Sequence, residues 1–198
     1  MRISVLGAIA ACLLALGACS REDEGGILPK QRPTTVVEPE TRVDAVPQEE
    51  PAVARSQWRA VSDQARAVTG NLRVSLEGPR GGPVVFAFAN GITVHAQPYD
   101  VTPADSRSGV GGQSFAAVLG GDPRVDAYLY RVNRENLTPQ RQPEGGLCGA
   151  TPARHLAVSE FVDSSGRWVF KIAAFRGAAR PGSGDNPELC AAYAYTAQ

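Results

Sequence analysis

The stretch VVFAFANGITVHAQ, residues 84–97, decides the fold. Val84, Phe86 and Phe88 alternate with Val85, Ala87 and Ala89. After Asn90-Gly91, Ile92, Val94 and Ala96 alternate with Thr93 and His95. Two alternating runs around Asn-Gly predict a β-hairpin, because both central residues of a type I′ turn need positive φ. A second hairpin is predicted over residues 156–175, where Asp163-Ser164-Ser165-Gly166 separates two apolar runs. There Trp168, Phe170 and Ile172 share a strand face and are expected at the centre of the core. Further strands read at 72–76, 125–132 and 189–196, while 115–119 fits either element. Residues 56–69 are the helical candidate, with Trp58, Val61, Ala65 and Val68 at helical spacing and Ser56 able to cap. The same stretch also reads as a first strand. Connections rich in Gly and Pro, at 78–83, 103–112 and 177–187, punctuate the chain. Seven to nine short strands predict a mainly β fold, a small antiparallel barrel or a sandwich, with room for one short N-terminal helix.

The N-terminal end carries a different signal. Met1-Arg2 is followed by an apolar run, residues 3–16, broken only by Ser4 and Gly7. It is shorter than the roughly 20 residues that span a bilayer and has the pattern of a secretory signal. Leu16-Gly17-Ala18-Cys19 resembles the lipobox of bacterial lipoproteins. The resemblance implies removal of residues 1–18, a diacylglycerol thioether on Cys19, and a further fatty acyl chain, of the palmitate kind, on its new amino group. One chain holds a protein only marginally, and two or three make the anchor lasting. Cys12 would leave with the signal. In that family an Asp after the Cys retains the protein at the inner membrane, so Ser20 implies the outer membrane, facing the periplasm. The membrane is then a partner through the lipid on Cys19.

Residues 19–55 read as that anchor and a tether. From Ser20 to Arg55 there are five prolines, eight acidic and five basic residues and no aromatic residue. Such a segment buries too little apolar surface to offset its ordering entropy and is expected to be a disordered spacer. Fully extended it would reach on the order of 100 Å.

Residues 56–198 make one domain of ordinary size. It carries 14 basic and 12 acidic residues, which excludes the cationic field expected of a nucleic-acid partner. Cys148 and Cys190 are expected to form a disulfide in an oxidising compartment. No C-x-x-C redox spacing or tight metal-ligand spacing is present, so neither metal nor cofactor is expected. His95 and His155 are the two histidines. A hydrolase would pair one of them with Ser159 and with Asp163 or Glu160. Neither a nucleophile elbow nor a Ser-x-x-Lys supports this, so no catalytic residue is assigned. Tyr128 and Tyr130 share a strand face with Asp126, and Tyr193 and Tyr195 share one with Leu189 and Ala191. Strand tyrosines of this kind are half-buried core or rim, or else a ligand-binding face.

The order of features also resembles the membrane-bound inhibitors of c-type lysozyme: a lipobox, a small antiparallel barrel, a strand ending in a glycine turn (residues 86–91), a Ser108-Gly109 pair, then Cys148. The domain departs from that family in having no Cys before Cys148, no Tyr soon after Ser108-Gly109 and no Lys-Gly loop. No inhibitory residue is therefore carried across. The leading expectation is a lipid-anchored, non-catalytic module that binds an envelope protein or glycan. A lysozyme-inhibitor-like protein and an envelope enzyme with an unrecognised site are the alternatives, and the oligomeric state stays open. Replacing Cys19 by Ala is expected to move the protein from the membrane fraction to the soluble fraction. Undiminished sedimentation with membranes would show that the anchor lies elsewhere.

Overall fold

A computed structural model describes residues 57–198. Cys12, Cys19, Ser20, Ser56 and the 19–55 tether lie outside the described residues. Eight strands follow one another: β1 (Gln57–Ala60), β2 (Leu72–Leu76), β3 (Val84–Phe88), β4 (Ile92–Pro103), β5 (Asp126–Leu137), β6 (His155–Val162), β7 (Trp168–Arg176) and β8 (Glu188–Ala197). Each pairs antiparallel with the next. β1 returns to β8, with Trp58 opposite Ala197 and Ala60 opposite Tyr195, and closes the barrel. The hairpin forms where Asn90-Gly91 places it, but through a three-residue turn. β3 ends at Phe88, β4 begins at Ile92, and Gly91 N–H donates to Phe88 O at 3.0 Å, so Ala89 and Asn90 are central and Gly91, at φ 93°, follows them.

One face of every strand fills the interior. Trp58 stacks on Phe170 with ring centroids 4.9 Å apart, and Phe86 meets the edge of Tyr130 at 5.6 Å. Val74, Val94, Leu156 and Ile172 pack among them, all buried. An eight-stranded barrel is just wide enough for side chains to fill.

A second apolar layer lies outside the wall. Ala127 and Leu129 of β5, Ala157 of β6, and Ala173 and Phe175 of β7 are buried beneath a short helix α1 (Phe115–Leu119). Residues 115–119, open to either element from sequence, are helical because both ends are capped. Ser114 Oγ accepts from Ala117 N at 3.2 Å, and Gly120 adopts the left-handed conformation. The small side chains of Ala157 and Ala173 leave space for the helix.

Two expectations need correcting. Residues 56–69 are not one element. β1 takes Trp58 inward by alternation, and the chain then turns at Ser62, whose Oγ accepts from Ala65 N and Ala194 N. A π-helical turn η1 (Ala65–Thr69) follows. The helical spacing of the apolar residues lost to the pairing that closes the barrel. Trp168 is not central either. It shares the inward direction of Phe170 and Ile172, but as the first residue of β7 it lies at the barrel rim and is 38% exposed.

Antiparallel alternation sorts the connections between two poles. η1, the Asn90-Gly91 turn and residues 138–154 gather at the upper pole, where β8 also begins. The β2–β3, β4–β5 and β6–β7 connections lie at the lower pole, together with Gln57 at the start of β1 and Ala197 at the end of β8. Phe170→Ala is expected to cost about 3–5 kcal/mol of stability in urea denaturation. Trp168→Ala on the same strand should cost less than half as much. Equal losses would return Trp168 to the core.

Candidate functional site

An open cleft of about 600 Å³ lies at the upper pole. Gln64 just before η1, Val68 of η1, Asn90, residues 141–149, Arg176 and the start of β8 line it. The 138–154 segment that forms most of its rim is fixed at four points. Gln142 Nε2 donates to Val68 O at 2.8 Å and to Asn90 O at 3.1 Å. The Glu135 carboxylate, at the upper end of β5, accepts from Leu147 N at 2.7 Å and Ala153 N at 2.9 Å. Tyr193 Oη donates to Leu147 O at 2.6 Å. The Cys148–Cys190 disulfide forms, as expected, and ties the segment to β8 with Cα atoms 5.1 Å apart.

Two glycines are required for this fit. Gly145 has φ 106°, and a Cβ there would collide with the Gly149 carbonyl. A Cβ on Gly146 would run into the Glu135 carboxylate. The rim is polar, with Arg141, Glu144 and Gln64 at its edges, and Arg176 held by Glu188 at 2.8 Å. It is a rigid, preformed surface on which hydrogen-bonding groups converge.

The four tyrosines do not form an open face. Tyr130, Tyr193 and Tyr195 are at most 1% exposed and point into the barrel, and Tyr128 is half-buried. Their shared face was legible, but it is the interior one. Tyr195 Oη and Thr69 Oγ1 are 2.6 Å apart, a buried hydrogen bond joining β8 to η1. Burial pushes the Tyr195 hydroxyl well up and that of Tyr193 to about 12, so both stay neutral at physiological pH.

The histidines stand apart from the residues a hydrolase would need. His95, on the outer face of β4, bonds Glu77 at 2.7 Å and Arg134 at 3.1 Å. That hydrogen bond from His95 holds the Glu77 carboxyl below its usual range. His155 opens β6, while Asp163 follows its far end and is bound by Ser165 and Arg167. Seven residue steps along the strand separate His155 from Val162, about 23 Å. Ser159 Oγ is buried beside Gly121 with no partner among the described residues. The Ser108 hydroxyl is also buried and donates to Gln113 O, and Gly109 packs under Asp185 and Pro187. Among the described residues no group of three metal-ligating side chains occurs, and no helix is long and apolar enough to cross a membrane.

No protein-family model matches the chain, and neither a curated protein nor a solved structure is found to match it. The cleft residues Gln64, Arg141, Glu144 and Arg176 carry no sequence motif. The one local hint is the run Gly145-Gly146-Leu147-Cys148-Gly149, whose glycines are packed for close approach rather than placed in a simple turn.

The disulfide closes a loop with a sequence separation of 42. Replacing both Cys148 and Cys190 by Ser is expected to lower stability by about 4 kcal/mol on the chain-entropy account, measured by urea denaturation. A change below about 1 kcal/mol would mean that the three hydrogen-bonded fixings hold the segment unaided.

Proposed function

We propose that the chain is a lipoprotein anchored through Cys19 in the outer membrane and facing the periplasm. Its β-barrel is a non-catalytic module that binds an envelope protein or glycan in the upper-pole cleft. The observation that carries this reading is the cleft itself: an open polar concavity whose rim is fixed by a disulfide, by Glu135, by Gln142 and by Tyr193. Such fixing removes the ordering cost that a mobile loop would pay on association. The interior is filled with side chains, so the concave surface lies on the outside.

Polarity of the fold supports the same reading. Gln57, the residue nearest the tether, starts at the lower pole, and the cleft lies at the upper one. Entry of the chain at the lower pole leaves the upper-pole cleft clear of the point where the tether would join. A photoreactive diazirine residue in place of Glu144 is expected to capture an envelope component in intact cells. The same residue in place of Arg167, in the lower-pole turn, should capture none. Equal capture at both positions would sink the cleft as the binding site.

A further inference from the structure

On the outer wall beside the cleft lies a second cluster of basic and aromatic side chains. Strand register sets Gln97 of β4, Arg131 of β5 and His155 of β6 side by side in one row on the outer face. The ladder between β4 and β5 is irregular between Pro98 and Asp100. Such bulges re-aim side chains. Here the Tyr99 ring stands edge-on to the His155 imidazole, with centroids 6.0 Å apart. Arg154 immediately precedes β6. Arg180 arrives from the β7–β8 connection, which folds down over the wall, with Gly182 N donating to Ser108 O at 2.9 Å.

Three features of this row call for a ligand. His155 is 5% exposed, and its Nδ1 is buried with no partner among the described residues. Native structures seldom leave such an atom unpaired unless something else supplies the partner. Arg131, Arg154 and Arg180 are exposed, and none has an acid partner among the described residues. Their charges act on one buried ring, which burial and then Arg180, Arg131 and Arg154 hold below the usual imidazole range. Asp100 is the acid near Tyr99, and its Oδ1 already accepts from Val101 N at 2.9 Å. The next arginine along, Arg176, is neutralised by Glu188. Three guanidinium forks without counter-charge suit a multiply charged oxyanion, which each can grip through paired N–H donors.

We propose that Arg131, Arg154 and Arg180, around His155 and beside Tyr99, form a binding site for a phosphate group. This stands independently of the cleft reading. The group's source is either a soluble phosphate compound or the headgroup of an anionic phospholipid.

The test follows the two imidazoles by NMR in the full chain, labelled at histidine and held in neutral detergent. Adding inorganic phosphate at constant ionic strength and pH is expected to shift the His155 signal saturably. His95, held by Glu77 and Arg134, should stay still, and chloride should do nothing. The His155 titration midpoint should rise when phosphate is bound, because a nearby anion favours imidazolium. Arg154→Gln with Arg180→Gln, both exposed and outside the core, should weaken binding at least tenfold. Arg131→Gln is the second variant should that pair fold poorly. Phosphatidylglycerol vesicles that bind the Cys19→Ala chain, which has no lipid of its own, and release it on addition of phosphate would identify the headgroup as the source. Binding of inorganic phosphate without vesicle binding would identify the soluble compound. Absence of a His155 shift, equal shifts at both histidines, or an unchanged response in the arginine variants would overturn the site.

Discussion

The pairing of β1 with β8 is the constraint on which the rest of the structure depends. Three residue pairs make it, from Trp58 opposite Ala197 to Ala60 opposite Tyr195. Once they form, every strand of the barrel has a neighbour on both sides, and the liability of a wholly unpaired edge strand disappears. Closure also encloses one face of all eight strands. Each inward side chain must then fit a space of fixed width, which the stacked Trp58 and Phe170 and the edge-on Phe86 and Tyr130 occupy. The buried bond between Tyr195 and Thr69 ties the closing strand to the turn that follows β1. The closing pairing and the filling of the interior therefore support each other.

A filled barrel pushes recognition to its exterior. On one side the wall is already covered by α1, because β5, β6 and β7 carry apolar residues on both faces. What remains are the connections. The 138–154 segment is long enough to build a surface and is fixed at enough points to keep a shape. The β7–β8 connection lies down over the wall and brings Arg180 to His155. Each depends on glycine at a close approach: Gly145 and Gly146 within the first, and Gly109 beneath Asp185 and Pro187 of the second. The scaffold is made by alternation, and the surfaces by departures from it.

The sequence made the scaffold largely legible. The Asn90-Gly91 hairpin, the 156–175 hairpin and the strand at 72–76 follow from period-two alternation, and the Cys148–Cys190 bond from the expected oxidising compartment and the absence of redox or metal-ligand spacing. The two faces of β5 were separable, but not which one was inside. Tyr128 and Tyr130 on one side and Ala127 and Leu129 on the other are both apolar enough to be buried, and both pack into cores. Barrel and sandwich could not be told apart, because closure rests on a contact between the first and last strands that no local pattern records. Trp168 read as core because alternation gives direction and not height along the barrel. The cleft and the arginine row were hidden for a related reason. Each gathers residues from three or more elements, and the irregularity that turns Tyr99 toward His155 leaves no mark in composition.

An even number of strands has one more consequence. Trp58 and Ala197 are neighbours in the ladder, so the two ends of the folded chain lie side by side at one pole. In fold terms the barrel is a ring cut once, and the place of the cut is a matter of gene order. A short linker could join those ends, and new ones could open in the exposed Asp163–Arg167 turn, at the same pole and away from the cleft. The pairing of the strands and the point where the chain enters them are thus separable. The same barrel could be entered at a different strand, with both outer surfaces intact.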